Sequence, residues 1–87
     1  MATITKSNTG AGVLSAMVDH ATIQFNERGI SQVNLRPGNH FLTWIITGGG
    51  AGDTYSVAIT QPATSAWTHS DTLDNEGFDS GGHYFTI

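Results

Sequence analysis

The chain contains no cysteine among its 87 residues. This absence excludes disulfide frameworks, thiolate zinc sites, iron–sulfur clusters and thiol catalysis. Small secreted domains often depend on disulfides, so the lack of cysteine favours a reducing compartment or an assembled state. The threonine-rich, lysine-poor composition points instead to an extracellular or virion-surface protein. Composition therefore leaves the compartment open.

Basic residues are also scarce, since Lys6, Arg28 and Arg36 stand against seven acidic residues and the formal net charge is −4. Proteins that bind nucleic acids neutralise many phosphates with clustered Lys and Arg, and three scattered cations do not form such a cluster. The same shortage argues against an anionic membrane surface. We therefore expect no nucleic acid among the partners.

No apolar run approaches the length of a membrane-spanning helix, which needs about 20 residues. The longest run, from Phe41 to Ile46, is interrupted by Thr43. Residues 1–6 show no apolar segment of the kind found in secretory signals. We predict no membrane insertion, and expect either a cytoplasmic protein or a component of a virion or extracellular assembly.

The length predicts a single domain over residues 1–87, because chains divide into domains only well above this size. Surface scaling predicts that folding buries about 63% of the surface that the unfolded chain exposes. The expected core is small, and small domains often complete their burial by forming oligomers.

Glycine, threonine, serine and asparagine together make up 35 of the 87 residues. Between them, apolar and polar residues alternate with the period of two that half-buried β-strands show. Residues 12–20 also fit a short helix, but the surrounding pattern favours a strand. We predict strands at about 2–6, 12–18, 20–26, 30–35, 40–47, 54–61, 64–69 and 82–87. This spacing predicts an all-β fold, a small antiparallel β-sandwich or barrel (immunoglobulin-like or jelly-roll-like) of seven or eight short strands.

Turn-forming residues separate these strands. Asn26–Gly29 has the pattern of a type I turn, and Arg36–Asn39, with Pro second and Gly third, that of a type II turn. The glycine-rich segment Gly48–Asp53 is most simply read as the loop of a hairpin that joins the strands before and after it.

The strand at 40–47 is apolar on both faces. Leu42, Trp44 and Ile46 share one face, and Phe41 and Ile45 the other. A strand of this kind must be covered on both sides. One interpretation is a central strand whose second face lies under a loop or a neighbouring strand. The other assigns Phe41 and Ile45 to a subunit interface or a ligand groove.

Residues 71–82 hold four of the seven acidic residues, at Asp71, Asp74, Glu76 and Asp79. Carboxylates around a glycine in a turning loop are typical Ca²⁺ ligands. An EF-hand register that places Gly77 at position six puts His83 where a Glu is required, so that motif is excluded. These four carboxylates remain weak candidates for an irregular Ca²⁺ site, against the simpler interpretation of a solvated loop. No other cofactor is expected.

Four histidines, at positions 20, 40, 69 and 83, are many for this length. None forms a local H-x-H or H-x₃-H pair, so a metal site would have to be assembled by the tertiary structure. No nucleophile motif or phosphate-binding loop is present, and the acidic loop looks too mobile to hold catalytic carboxylates in place. We therefore predict that the protein is not an enzyme.

Trp67 lies in a polar segment beside the acidic loop, where an exposed indole would suit a sugar ring. The simpler interpretation is that Trp67 plugs one end of the core. Trp44, in phase with Leu42 and Ile46, is expected in the core.

Two functional hypotheses follow. The first is a non-enzymatic structural or protein-interaction module that binds another copy of itself or a protein partner through Phe41 and Ile45. The second is a small carbohydrate-binding module, with or without calcium, that binds a glycan. Its candidate ligand-binding residues are Trp67, His69, Asp71, Asp74, Glu76 and Asp79, with His83 as a further candidate.

Overall fold

Two antiparallel four-stranded sheets pack face to face in the computed structural model, which describes all residues from Met1 to Ile87. The strands are β1 (Ala2–Asn8), β2 (Val13–Val18), β3 (Ala21–Thr22), β4 (Ile30–Val33), β5 (Asn39–Thr47), β6 (Thr54–Gln61), β7 (Trp67–Thr72) and β8 (Asp79–Thr86), with a 3₁₀-helix at Ala63–Ser65. Sheet A has the order β4-β1-β6-β7, and sheet B the order β3-β2-β5-β8. The predicted all-β sandwich is confirmed, and the sheets do not close into a barrel. No helix has the length and apolarity to cross a membrane.

The core lies between the sheets and follows from the alternation of residues along the strands. On β2 the alternate residues Leu14, Ala16 and Val18 are buried, which confirms the prediction of a strand there rather than a helix. The same alternation buries one face each of β5 and β6. The buried apolar cluster consists of Ile4, Leu14, Ala16, Val18, Leu42, Trp44, Ile46, Tyr55, Val57, Ile59, Leu73 and Phe85.

Three predicted strands have different bounds in the structure. The strand expected at 20–26 is reduced to Ala21–Thr22, although Ile23 and Phe25 still pack against the core. The strand expected at 64–69 begins only at Trp67, because the chain after Pro62 first makes a 3₁₀ turn. The strand expected at 82–87 begins earlier, at Asp79. Residues 71–82 are therefore not one loop.

The glycine-rich segment Gly48–Asp53 does not close a hairpin, so that prediction is wrong. Strands β5 and β6 lie in different sheets, and the segment carries the chain from sheet B to sheet A. It packs against the 73–78 turn, where Gly49 N donates to Gly77 O at 3.0 Å and Leu73 is buried. A Cβ atom at Gly77 would overlap the Gly49 carbonyl, so the two segments approach closely only because both positions lack side chains.

A two-residue turn, Asp19–His20, joins β2 to β3, and both residues have positive φ angles (51° and 68°). Asp19 compensates for this conformation through its carboxylate, which accepts a hydrogen bond from Phe41 N at 2.9 Å. The same carboxylate lies 2.6 Å from His40 Nδ1, and His40 Nε2 lies 2.7 Å from the carbonyl of Arg36. Because both ring nitrogens face acceptors, the doubly protonated imidazolium fits this position best. The hydrogen bond to Asp19 accordingly raises the pKa of His40, and the bond to His40 lowers that of Asp19.

We expect Asp19→Asn to lower the pKa of His40 toward its usual value of 6.5. Because folding raises this pKa, His40 stabilises the fold fully below pH 6.5, and this stabilisation is lost as the pH rises through the folded pKa. Because folding lowers the pKa of Asp19, its carboxylate stabilises the fold above pH 3.8, and this contribution is lost as the pH falls through the pKa of Asp19 in the folded state. NMR titration of His40 measures the shift, with Glu76→Gln as a control of equal charge. An unchanged pKa in Asp19→Asn would contradict the ion pair.

Two adjacent glycines on β8 each lie under an aromatic ring. The indole of Trp44 covers Gly81 on the inner face of sheet B, and the ring of Phe41 covers Gly82 on the outer face. A Cβ atom at Gly81 would lie 2.8 Å from Trp44 Cε2, and one at Gly82 would lie 2.6 Å from Phe41 Cζ. Both contacts are closer than packed carbon atoms allow. The two contacts differ in how far the ring can move away, because Trp44 is enclosed by the core and Phe41 is open to solvent on one side.

We expect Gly81→Ala to destabilise the fold by about 2–3 kcal/mol, since the core around Trp44 has no room to adjust. Gly82→Ala should cost less than about 1 kcal/mol because Phe41 can swing toward solvent. Urea denaturation of both variants measures the difference. Equal destabilisation would mean that the ring of Phe41 is as fixed as that of Trp44.

Candidate functional site

Side chains from the edge strands β7 and β8 close one open side of the sandwich. On β7, Trp67, His69 and Asp71 alternate with outward residues and so share the inward face. On β8, Asp79 and His83 face them, and the rings of Trp67 and His83 stack with centroids 4.0 Å apart and planes at 4°. The two strands belong to different sheets, so side chains rather than ladder hydrogen bonds connect them.

The hydroxyl of Tyr55, a buried residue on β6, organises the polar part of this region. It donates to Asp79 Oδ2 at 2.6 Å and accepts from Trp44 Nε1 at 3.2 Å. His69 Nε2 also lies 3.2 Å from the hydroxyl oxygen, and since the single hydroxyl proton goes to Asp79, we assign His69 as the donor here. We call the five residues Trp44, Tyr55, His69, Asp71 and Asp79 the Tyr55 cluster.

The electrostatics of the Tyr55 cluster follow from burial and these bonds. Burial raises the pKa of Tyr55 to about 12, and its bond to Asp79 adds to the effect. The same bond lowers the pKa of Asp79. Asp79 is thus an ionised carboxylate, and the Tyr55 hydroxyl keeps its proton at neutral pH. Tyr55 acts as a fixed donor and acceptor in the cluster.

Trp67 is half-buried and packs against the core cluster. One face of its indole is covered by His83, whose pKa is lowered by burial. The indole of Trp67 also lies 5.5 Å from that of Trp44, between ring centroids. These contacts fit the interpretation in which Trp67 plugs the end of the core.

Three of the four acidic residues considered for Ca²⁺, Asp71, Asp74 and Asp79, line one hollow at the ends of β7 and β8. Asp71 lies in β7 and Asp79 in β8, and one ligand atom of each lies within 4.8 Å of the other and of a ring nitrogen of His69. Asp74 and Glu76 lie in the exposed turn 73–78, where Asp74 Oδ1 accepts from Glu76 N. The structure therefore groups two of the four carboxylates with a histidine. Since Asp71 and Asp79 are strand residues, the expectation of a mobile loop does not hold for them.

A second candidate surface is the outer face of sheet B. The proposed interface residues Phe41 and Ile45 lie on it, and Phe41 stacks on Tyr84 with ring centroids 4.3 Å apart. Ile45 is 42% exposed, Tyr84 76% and Val13 65%, and Met17 on β2 is half-buried. No loop covers Ile45, although β5 is a central strand. We call this surface, defined by Val13, Met17, Phe41, Ile45 and Tyr84, the apolar outer face.

The apolar outer face contains no charged side chain. Its remaining outward positions on β2, β5 and β8 are Ser15, Asn39, Thr43, Thr47, Ser80, Gly82 and Thr86. Ser15, Thr43 and Ser80, with Met17 and Ile45, border a hollow of about 530 Å³. The outer face of sheet A differs, since hydroxyl residues such as Thr5, Ser56, Thr68 and Ser70 cover it.

The sequence pattern indicated part of both sites. It named Phe41 and Ile45 but missed Val13, Met17 and Tyr84, although Val13 and Met17 alternate with the core residues of β2 and were open to detection. It also missed Tyr55. The available signal was a tyrosine in phase with Val57 and Ile59, because a buried phenol hydroxyl usually requires polar partners.

Comparison of the chain with protein-family models, with curated proteins and with solved structures finds no match.

We expect Tyr55→Phe to destabilise the fold by about 1–3 kcal/mol, because the indole N–H of Trp44 loses its acceptor in the core and Asp79 loses its donor. Thr68→Val removes a hydroxyl from an exposed position on the outer face of sheet A and serves as the control, with an expected cost below about 0.5 kcal/mol. Urea unfolding of both variants measures the effect. Equal stabilities would show that the hydroxyl of Tyr55 contributes nothing to the core.

Proposed function

We propose that the protein is a non-enzymatic interaction module that associates with a second copy of itself through the apolar outer face of sheet B. The observation that supports this most is the exposure of Val13, Ile45 and Tyr84 on one uncharged face. Exposed apolar side chains that form a contiguous patch mark interaction surfaces, whereas isolated ones do not.

A second copy fits this face for electrostatic reasons. Each chain carries a formal charge of −4, so two copies repel when their charged regions approach. The apolar outer face presents no charge to its own copy, and unlike the hydroxyl-covered outer face of sheet A it also offers exposed apolar side chains to bury. A charged partner would find no complementary group there, and burial of its charge would be costly.

The shape of the face also suits a symmetric pair. A two-fold interface requires that one surface be complementary to itself. This face carries a protruding stacked pair, Phe41 and Tyr84, and a hollow bordered by Thr43 and Ser80. In a two-fold pair, the aromatic rings of each copy would enter the hollow of the other.

The size of the domain adds a reason for association. Only 17 of 87 residues are buried, so the core leaves much apolar surface in water. A specific interface buries about 800 Å² on each partner, roughly one sixth of the 5166 Å² that this chain exposes. One broad face of a two-layer sandwich is of suitable size for such an interface.

The carbohydrate-binding alternative stays a prediction. The stack of Trp67 on His83 covers the indole face that a sugar would use. Of the predicted ligand-binding residues, Glu76 lies in the exposed turn and does not line the hollow that Asp71, Asp74 and Asp79 share. These contacts give the glycan hypothesis less support than the association of two copies.

We expect light scattering to give the wild-type chain a mass of twice 9.2 kDa, with dissociation on dilution. Ile45→Lys should shift the protein to the monomer, because it places a charge in the centre of the apolar outer face. Thr68→Lys adds the same charge to the outer face of sheet A and should leave the dimer intact. A second disrupting variant, Phe41→Ser, tests the aromatic pair.

Circular dichroism shows whether each variant remains folded. A wild-type mass of 9.2 kDa at all concentrations would overturn the proposal. An equal loss of dimer in Ile45→Lys and Thr68→Lys would place the interface elsewhere.

A further inference from the structure

We propose that His69, Asp71 and Asp79 bind a divalent transition-metal ion, with Zn²⁺ as the representative ion, between the edges of the two sheets. This inference does not depend on the association of two copies, because all three ligands come from one chain. It also differs from the Ca²⁺ hypothesis, which joined Asp71 and Asp79 to Asp74 and Glu76.

The positions of the ligand atoms support the site. One ring nitrogen of His69 and one carboxylate oxygen from each aspartate lie within 4.8 Å of one another. In a tetrahedral site, ligand atoms about 2.1 Å from the zinc ion are about 3.4 Å apart, so the three atoms would close in by up to about 1.4 Å. Rotation of the exposed side chain of Asp71 would supply part of this movement, with small rotations of His69 and Asp79.

The strands fix this arrangement. His69 and Asp71 are two residues apart on β7, so both point to the same side of the strand. Asp79 begins β8 on the facing sheet. A metal ion here would join the edge strands of two sheets that no ladder hydrogen bond connects.

The donor set selects the class of ion. One imidazole nitrogen with two carboxylate oxygens suits Zn²⁺ and similar first-row ions. Calcium prefers six to eight oxygen ligands, and an imidazole does not serve it well. Three protein ligands leave a fourth position of a tetrahedral site for water.

Residues behind the ligands hold them in place, as around known metal centres. The Tyr55 hydroxyl donates to Asp79 Oδ2 at 2.6 Å and accepts from His69 Nε2 at 3.2 Å. Because Nε2 then carries the ring proton, Nδ1 of His69 is the nitrogen that would bind the ion. Trp44 Nε1 in turn fixes Tyr55 from the core. Two of the three proposed ligands are thus oriented by one buried side chain, an arrangement that isolated surface carboxylates lack.

Isothermal titration calorimetry of the full chain with ZnCl₂, in a buffer that does not chelate, tests the proposal. We expect saturable binding of one ion per chain. Asp71→Asn should weaken binding at least about tenfold, because it removes an anionic ligand from an exposed position that the fold tolerates. Glu76→Gln removes the same charge from an exposed residue of the neighbouring turn that does not line the hollow between Asp71 and Asp79, and it should alter the affinity less than twofold.

NMR of the histidine rings supplies a second measurement that needs no variant. Addition of ZnCl₂ should shift the ring resonances of His69, and those of the exposed His20 should stay in place. The proposal is overturned if ZnCl₂ at millimolar concentration gives no saturable binding. It is also overturned if Asp71→Asn and Glu76→Gln weaken binding equally, if His20 shifts in place of His69, or if an equal concentration of CaCl₂ displaces the zinc.

Discussion

The hydrogen bond from the indole of Trp44 to the hydroxyl of Tyr55 crosses the core from sheet B to sheet A, and much of the structure depends on it. In a small apolar core, an indole N–H without an acceptor is costly. Tyr55 supplies that acceptor, and its own proton then requires an acceptor as well. Asp79 meets this need at the start of β8. The need to satisfy the indole N–H of Trp44 in the core thus holds the carboxylate of Asp79 at the edge of the sandwich.

The sequence was most informative where a residue's position depends only on its own strand. Alternation along β2, β5 and β6 correctly separated the buried residues from the outward ones, because a strand turns successive side chains to opposite faces. The pairing of strands was less accessible. Gly48–Asp53 has the composition of a hairpin loop, but the choice between a hairpin and a crossing depends on strand pairing, since β5 pairs with β2 and β8 and β6 with β1 and β7.

The same distinction between single strands and strand pairing applies to the residues of the candidate sites. Phe41 and Ile45 were recognised because one strand had two apolar faces. His69, Asp71 and Asp79 were named among six candidate ligand-binding residues, but the sequence could not separate these three from the others, because their grouping depends on β7 and β8 facing each other from different sheets. The extension of β7 to Thr72 and the start of β8 at Asp79 changed an apparently loose acidic loop into two strand ends and a short turn.

The adjacent glycines Gly81 and Gly82 of β8 bring the core and the apolar outer face close together. Because Trp44 covers one side of this strand and Phe41 the other, only a single layer of backbone separates the core from the apolar outer face there. At other positions of the sheet, the strand residues add their own side chains to the layer between the core and the apolar outer face. A partner that presses on Phe41 would therefore push the backbone of β8 directly against the indole of Trp44. That indole donates to Tyr55, and no other side chain lies between it and Phe41.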